Sequence, residues 1–159
     1  DLWSRNESKN FNLKILQYID ILFTNSNTFN FVFDLKSKIE LNAFYDESEE
    51  ALNNILSMND IPTVCMTVRS KDQIGGLIFQ KSKIYKSNIY DFDHIDRVGA
   101  GDSFTGAVLY GFLKGWSKDK IVSFATAAFA ISHTKFGDVN CFDDKEIEAF
   151  RINQSIKYV

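Results

Sequence analysis

Asp96-Arg97-Val98-Gly99-Ala100-Gly101-Asp102-Ser103 sets two glycines, an alanine between them and a carboxylate directly ahead of an apolar run through Phe104, Ala107, Val108 and Leu109 to Leu113. Small residues at the entry to a helix make a tight turn. The N–H groups there have no partner within the helix and sit at the positive end of its dipole, so they can hold an anion. Asp102 stands where it could take a proton from a hydroxyl attacking that anion. Phosphoryl transfer is the chemistry this suits, with Asp102 as base and Gly99, Ala100, Gly101 and Asp102 as an anion hole. The same residues also allow an ordinary turn in which Asp102 only complements the dipole. Two other nucleotide loops do not fit. A dinucleotide fingerprint needs glycine where Phe104 stands, and a P-loop needs Gly-Lys where Gly101-Asp102 stands.

The elements that must position this stretch follow from periodicity. Phe11, Ile15 and Ile19 form the stripe of an amphipathic helix over 10–19. Ile21-Leu22-Phe23 reads as a short buried strand, and 26–35, with Phe29, Phe31 and Phe33, as a short helix whose aromatics pack. Asp46 with Glu49 has the spacing of a capping box ahead of Ala51, Leu52, Ile55 and Leu56, and Pro62 blocks continuation of that helix. Thr63 to Val68 is β-rich throughout and reads as a central strand buried on both faces. Gly75-Gly76 reads as a turn into Leu77-Ile78-Phe79, and Lys81-Ser82 as a second turn into Lys83-Ile84-Tyr85. A third strand over 88–92 completes a small meander.

Downstream, 102–114 is apolar nearly all round and reads as a buried helix, with Gly106 and Gly111 permitting close backbone approach. Gly115 stops it. Ser117 caps a helix to about His133, and Asp143 with Glu146 opens a final helix to about Arg151. Alternating helices and strands imply a layered α/β fold.

The chain has 159 residues, 45% hydrophobic, with 18 basic and 21 acidic residues and a net charge of −3. It therefore reads as a single globular portion, residues 1–159. There is no basic stripe for nucleic acid and no apolar run of membrane-spanning length. The first residue is Asp1 rather than Met, so the chain is expected to begin mid-gene. Cys65 and Cys141 lack paired spacing and read as free thiols of a reducing, cytoplasmic protein. His94 and His133 have no metal-ligand spacing, and no residue is assigned as a metal ligand; His133 is expected to order the loop before Gly137. The acids at 46–50 read as a solvated helix start.

Asp96 to Phe104 resembles the second signature of the ribokinase-like (PfkB) sugar kinases, and its Asp-Arg opening resembles the 2-keto-3-deoxygluconate kinase branch. Further stretches are similar in the same order: Leu2-Trp3-Ser4, Asp20 to Asn25, Thr67-Val68-Arg69, and His133 to Asn140. The resemblance implies a layered ribokinase-like α/β fold, here its C-terminal nucleotide-binding portion. The sugar-binding half, the lid and the arginine of D-x-N-x-R precede that portion in the family. It implies ATP and Mg²⁺ as cofactors, a sugar or sugar acid as the small-molecule partner, and room for a homo-oligomer. By the same resemblance Thr67, Arg69, Gly137, Asp138 and Asn25 approach the nucleotide, and Arg97 joins Asp102 at the substrate. One departure stands out. Asn25-Ser26-Asn27-Thr28 replaces the family's Asn-Glu-Glu-Asp, whose acid organises the magnesium–water network. That departure, with the missing half, leaves a second expectation: a non-catalytic nucleotide-binding or partner-binding remnant.

Overall fold

The computed structural model describes residues 4–33, 43–91, 96–139 and 142–153. Eleven elements follow in order: α1 (Arg5–Leu16), β1 (Ile21–Thr24), α2 (Ser26–Phe33), α3 (Asp46–Met58), β2 (Thr63–Arg69), β3 (Gln73–Gln80), β4 (Lys83–Lys86), β5 (Tyr90–Asp91), α4 (Ala100–Leu113), α5 (Lys118–Ser132) and α6 (Asp144–Asn153). The chain divides into two compact units, one of 1–68 with 78–84 and one of 69–77 with 85–159.

In the first unit β1 and β2 pair in parallel, Ile21 opposite Thr63 through Thr24 opposite Met66, with α2 and α3 in the crossover. Strand order runs β1-β2-β3-β4. Val64, Cys65 and Met66 are fully buried, as a β-branched run in a central strand should be. Phe29 and Phe33 stack at 4.5 Å and are buried, whereas Phe31 is exposed. The capping box at Asp46 does not form. Tyr45 is the N-cap, the Asp46 Oδ2 accepts from the Ala43 N–H at 2.8 Å, and the Glu49 N–H goes to the Tyr45 carbonyl at 2.9 Å. Asp46 sits one residue too late, inside the helix, so its carboxylate reaches back to the preceding turn.

In the second unit the first residues of β3 pair antiparallel with β5, Gln73 with Asp91 and Ile74 with Tyr90. Gly75-Gly76 is not a turn but lies within β3. A Cβ on Gly76 would stand 2.5 Å from the Thr126 Oγ1 and 2.8 Å from the Phe104 Cε2, so this glycine lets two helices press against the strand. α4 packs along α5, and α5 against α6. α5 is almost entirely buried. α4 is not the wholly buried helix its composition suggests: Leu109 is exposed and Leu113 is 88% exposed. Of its glycines, Gly111 admits Ile121 (a Cβ would lie 2.8 Å from Cγ1), but Gly106 has nothing within 4 Å and opens to a groove. The Asp143–Glu146 box at α6 is complete, both bonds being 2.9 Å. Cys65 is a buried free thiol, and Cys141 lies outside the described residues. No described helix is long and apolar enough to cross a membrane.

Candidate active site

The second unit holds the turn that opens α4. Gly99 is the N-cap, with φ +76° and ψ −9°, a left-handed conformation that an L side chain adopts only under strain. It is closed to a side chain for a second reason: a Cβ would fall 2.5 Å from the Asp138 carbonyl oxygen. Gly99 therefore brings the 137–138 loop against the start of α4.

Asp96 fastens the two pieces. Its Oδ1 accepts the N–H of Arg97 at 2.6 Å and of Val98 at 3.2 Å, and its Oδ2 accepts the N–H of Gly137, forty-one positions away, at 3.0 Å. Its own N–H donates to the His133 carbonyl at 3.3 Å. The Gly137 bond, followed by those of Val98 and Arg97, holds the Asp96 carboxyl below the ordinary aspartate range. His133 is fully buried, with Nδ1 2.7 Å from the Phe129 carbonyl oxygen. Its carbonyl thus ties the end of α5 to Asp96, while its ring bonds back within α5. The bracket made by Asp96 was not visible in sequence. The only hint was an aspartate two residues ahead of a chain N–H, because the Gly137 partner is remote.

The first N–H groups of α4 differ in their partners. Ser103 donates to the Gly99 carbonyl at 2.9 Å and Ala100 to the Arg97 carbonyl at a long 3.4 Å. Gly99 contributes no side-chain cap. The N–H groups of Gly101 and Asp102 have no acceptor among the described residues. Both residues are exposed, so these donors face solvent or a ligand. The Asp102 carboxylate accepts no hydrogen bond among the described residues. A groove of about 530 Å³ lies along the flank of α4, lined by Ser103, Gly106, Tyr110, Phe124, Phe142 and Asp144 among others.

The remaining expected site residues divide between the units. Arg69, Arg97, Gly137 and Asp138 lie with the α4 turn in the second unit, and Arg69 seats its guanidinium over Phe129. Thr67 and Asn25 belong to the first unit. The Asn25 Oδ1 is committed to capping α2, accepting the Thr28 N–H at 2.9 Å. The open amides of Gly101 and Asp102 suit an anion such as a phosphate. The segment from Asn25 to Thr28 offers magnesium no carboxylate.

A model of the pfkB family of carbohydrate kinases matches residues 3–145. A 2-dehydro-3-deoxygalactonokinase of Haloferax volcanii is 23% identical over 147 residues, covering 92% of this chain and 42% of that protein. A 1-phosphofructokinase of Haemophilus influenzae is 49% identical over 45 residues, covering 27% of this chain and 14% of its own length. Among solved structures, a 2-dehydro-3-deoxygluconokinase of Thermotoga maritima superimposes with a TM-score of 0.82 at 28% identity, covering 96% of this chain and 47% of that one. An E. coli protein assigned as a ribokinase II, solved with ATP and Mg²⁺, has a TM-score of 0.69 at 20% identity, covering 91% of this chain and 43% of that one. The fold is the ribokinase-like α/β fold, represented in part, since the chain spans less than half the length of these relatives.

Proposed function

This chain belongs to the pfkB family of carbohydrate kinases, and we propose that it carries the nucleotide-binding and proton-accepting part of an enzyme that phosphorylates a sugar or sugar-acid hydroxyl, of the 2-keto-3-deoxygluconate type. ATP with Mg²⁺ supplies the phosphoryl group. The N–H groups of Gly101 and Asp102 hold the oxygens of that group as charge builds on them, and Gly99 and Ala100 shape the turn. Asp102 takes the proton of the hydroxyl as its oxygen forms the new bond to phosphorus and the bond to the departing diphosphate breaks. Positioning and charge stabilisation supply the rate. Arg69, Gly137 and Asp138, with Thr67 and Asn25, are assigned to the nucleotide, and Arg97 to the substrate. The reading takes the enzyme to be cytoplasmic and its partner to be a small molecule.

The single observation that carries this reading is the start of α4. Among the described residues its second and third amides have no protein acceptor, and they stand beside an exposed carboxylate that has no described hydrogen bond. Asp102→Asn in the full-length protein, assayed by coupled ATP consumption against a panel of sugars and sugar acids, should lower turnover by roughly 10²–10⁴-fold and leave nucleotide binding intact. Unchanged turnover removes Asp102 from the mechanism. The second reading, a remnant that binds nucleotide without catalysis, draws on Asn25, whose side chain is used as a helix cap. It is favoured if the wild-type protein binds nucleotide but consumes none with any sugar of the panel.

A further inference from the structure

The side of α4 that carries Asp102 runs on through Gly106, Leu109 and Leu113, which follow it by four, seven and eleven positions and so share one face of the helix. That face is open. Asp102 and Gly106 are exposed, Leu109 is 41% exposed and Leu113 is 88% exposed. The opposite face, with Phe104 and Val108, is buried.

Gly106 also borders the 530 Å³ groove, whose walls include Tyr110, Phe124, Phe142 and Ile147. Stripe and groove therefore form one continuous apolar surface, unlike leucines scattered singly. At its rim the Tyr110 hydroxyl donates to the Asp144 Oδ2 at 3.4 Å, so these two polar groups serve each other. A Cβ on Gly106 would meet nothing within 4 Å. A helix interior with no neighbour at that point favours alanine, whereas a glycine lets a second helix come near, at the short end of the usual separation of about 8–10 Å. Material for such a helix exists in the relatives: the chain covers 47% of the Thermotoga maritima kinase and 42% of the Haloferax volcanii one.

We propose that this face of α4 seats a helix from the part of the full-length protein that the relatives carry beyond the matched portion. The helix crosses at Gly106, and it brings the sugar-binding groups up to Asp102 at the head of the same stripe. The docking stands on the exposed face and the relatives' length. The delivery of the sugar rests on the phosphoryl-transfer reading above.

The test uses the full-length protein. Gly106→Ala has opposite signs in the two cases: on a bare helix face the methyl group meets nothing and raises the thermal unfolding midpoint, and under a docked helix it lowers it. Leu113→Gln, of similar helix propensity, should leave the midpoint unchanged on a bare face and lower it under a docked helix. Docking predicts that both midpoints fall, at every protein concentration. A raised midpoint for Gly106→Ala with an unchanged one for Leu113→Gln overturns it. A fall that depends on protein concentration assigns the face to a second copy and overturns it too. Coupled ATP consumption reads the delivery. Gly106→Leu should raise the KM for the sugar by about ten-fold or more, with nucleotide affinity held within about two-fold. An unchanged sugar KM in a variant whose midpoint has fallen keeps the helix and overturns its role at Asp102. A wild type that consumes no ATP with any sugar overturns the kinase reading and the delivery together, and the melting comparison still decides the docking.

Discussion

α4 and α5 pack along each other and begin in opposite ways. α5 starts at Ser117, whose hydroxyl accepts the Lys120 N–H at 3.3 Å, a side-chain cap built into the protein. α4 starts at a glycine that cannot cap, and the amides of Gly101 and Asp102 stay open among the described residues. α1, α2 and α6 resemble α5: Ser4, Asn25 and Asp143 each occupy the amides of their own helix. α3 also lacks a side-chain cap, but Asp46, Glu47 and Glu49 crowd its first turn and repel an anion. Only at α4, among the described helices, does an open start coincide with a backbone that excludes side chains. A cap adds stability, whereas an open start leaves donors for something outside the chain.

The sharpest way to break this contrast is to place a side chain at Gly99. Gly99→Ala would strain a positive φ and drive a methyl group into the Asp138 carbonyl. It should cost roughly 2 kcal/mol or more, by denaturant unfolding, and abolish nucleotide binding. Wild-type affinity in that variant would show that the turn's shape is not required. Gly76→Ala, crowding Thr126 and Phe104, should cost about 1–3 kcal/mol in the same measurement. Ser117→Ala removes the cap of α5 and should cost about 1 kcal/mol, without loss of affinity. A drop in affinity as large as that of Gly99→Ala would erase the distinction between the two helix starts.

The smallest effect concerns the Asp96 bracket. Its folded carboxyl lies below the ordinary aspartate value, so the stabilisation it provides is complete above about pH 4 and is lost as pH falls through the lower folded value. The Gly137 amide shift, followed by NMR from pH 6 to pH 2, should titrate with a midpoint below about 4. A midpoint at or above 4 contradicts the bracket. In Asp96→Asn this titration should vanish.

Local signals were legible in sequence and long-range ones were not. Ser117 and the Asp143–Glu146 pair announced their helices because a cap is decided within four residues. The β-rich run of β2 announced burial because both faces are apolar. Gly75-Gly76 misled, since a glycine admitted for the sake of Thr126 and Phe104 looks, in its own neighbourhood, like a turn. Gly106 misled in the opposite direction: it borders a groove, and nothing presses on it. The Asp46 box failed by a register of one residue. In the candidate site the turn from Gly99 to Asp102 could be read from its small residues. The bracket from Asp96 to Gly137 and the seat of Arg69 on Phe129 depend on partners far along the chain, which no local pattern encodes.

The central claim is that the amides of Gly101 and Asp102 are kept open for phosphate. Amide chemical shifts of the full-length protein, recorded as Mg²⁺ and ATP are added, address it directly. Large, saturable shifts are expected at Gly101 and Asp102, with the Lys120 amide beneath the α5 cap unmoved. Shifts at Gly101 and Asp102 that stay in place while nucleotide binds elsewhere would contradict it.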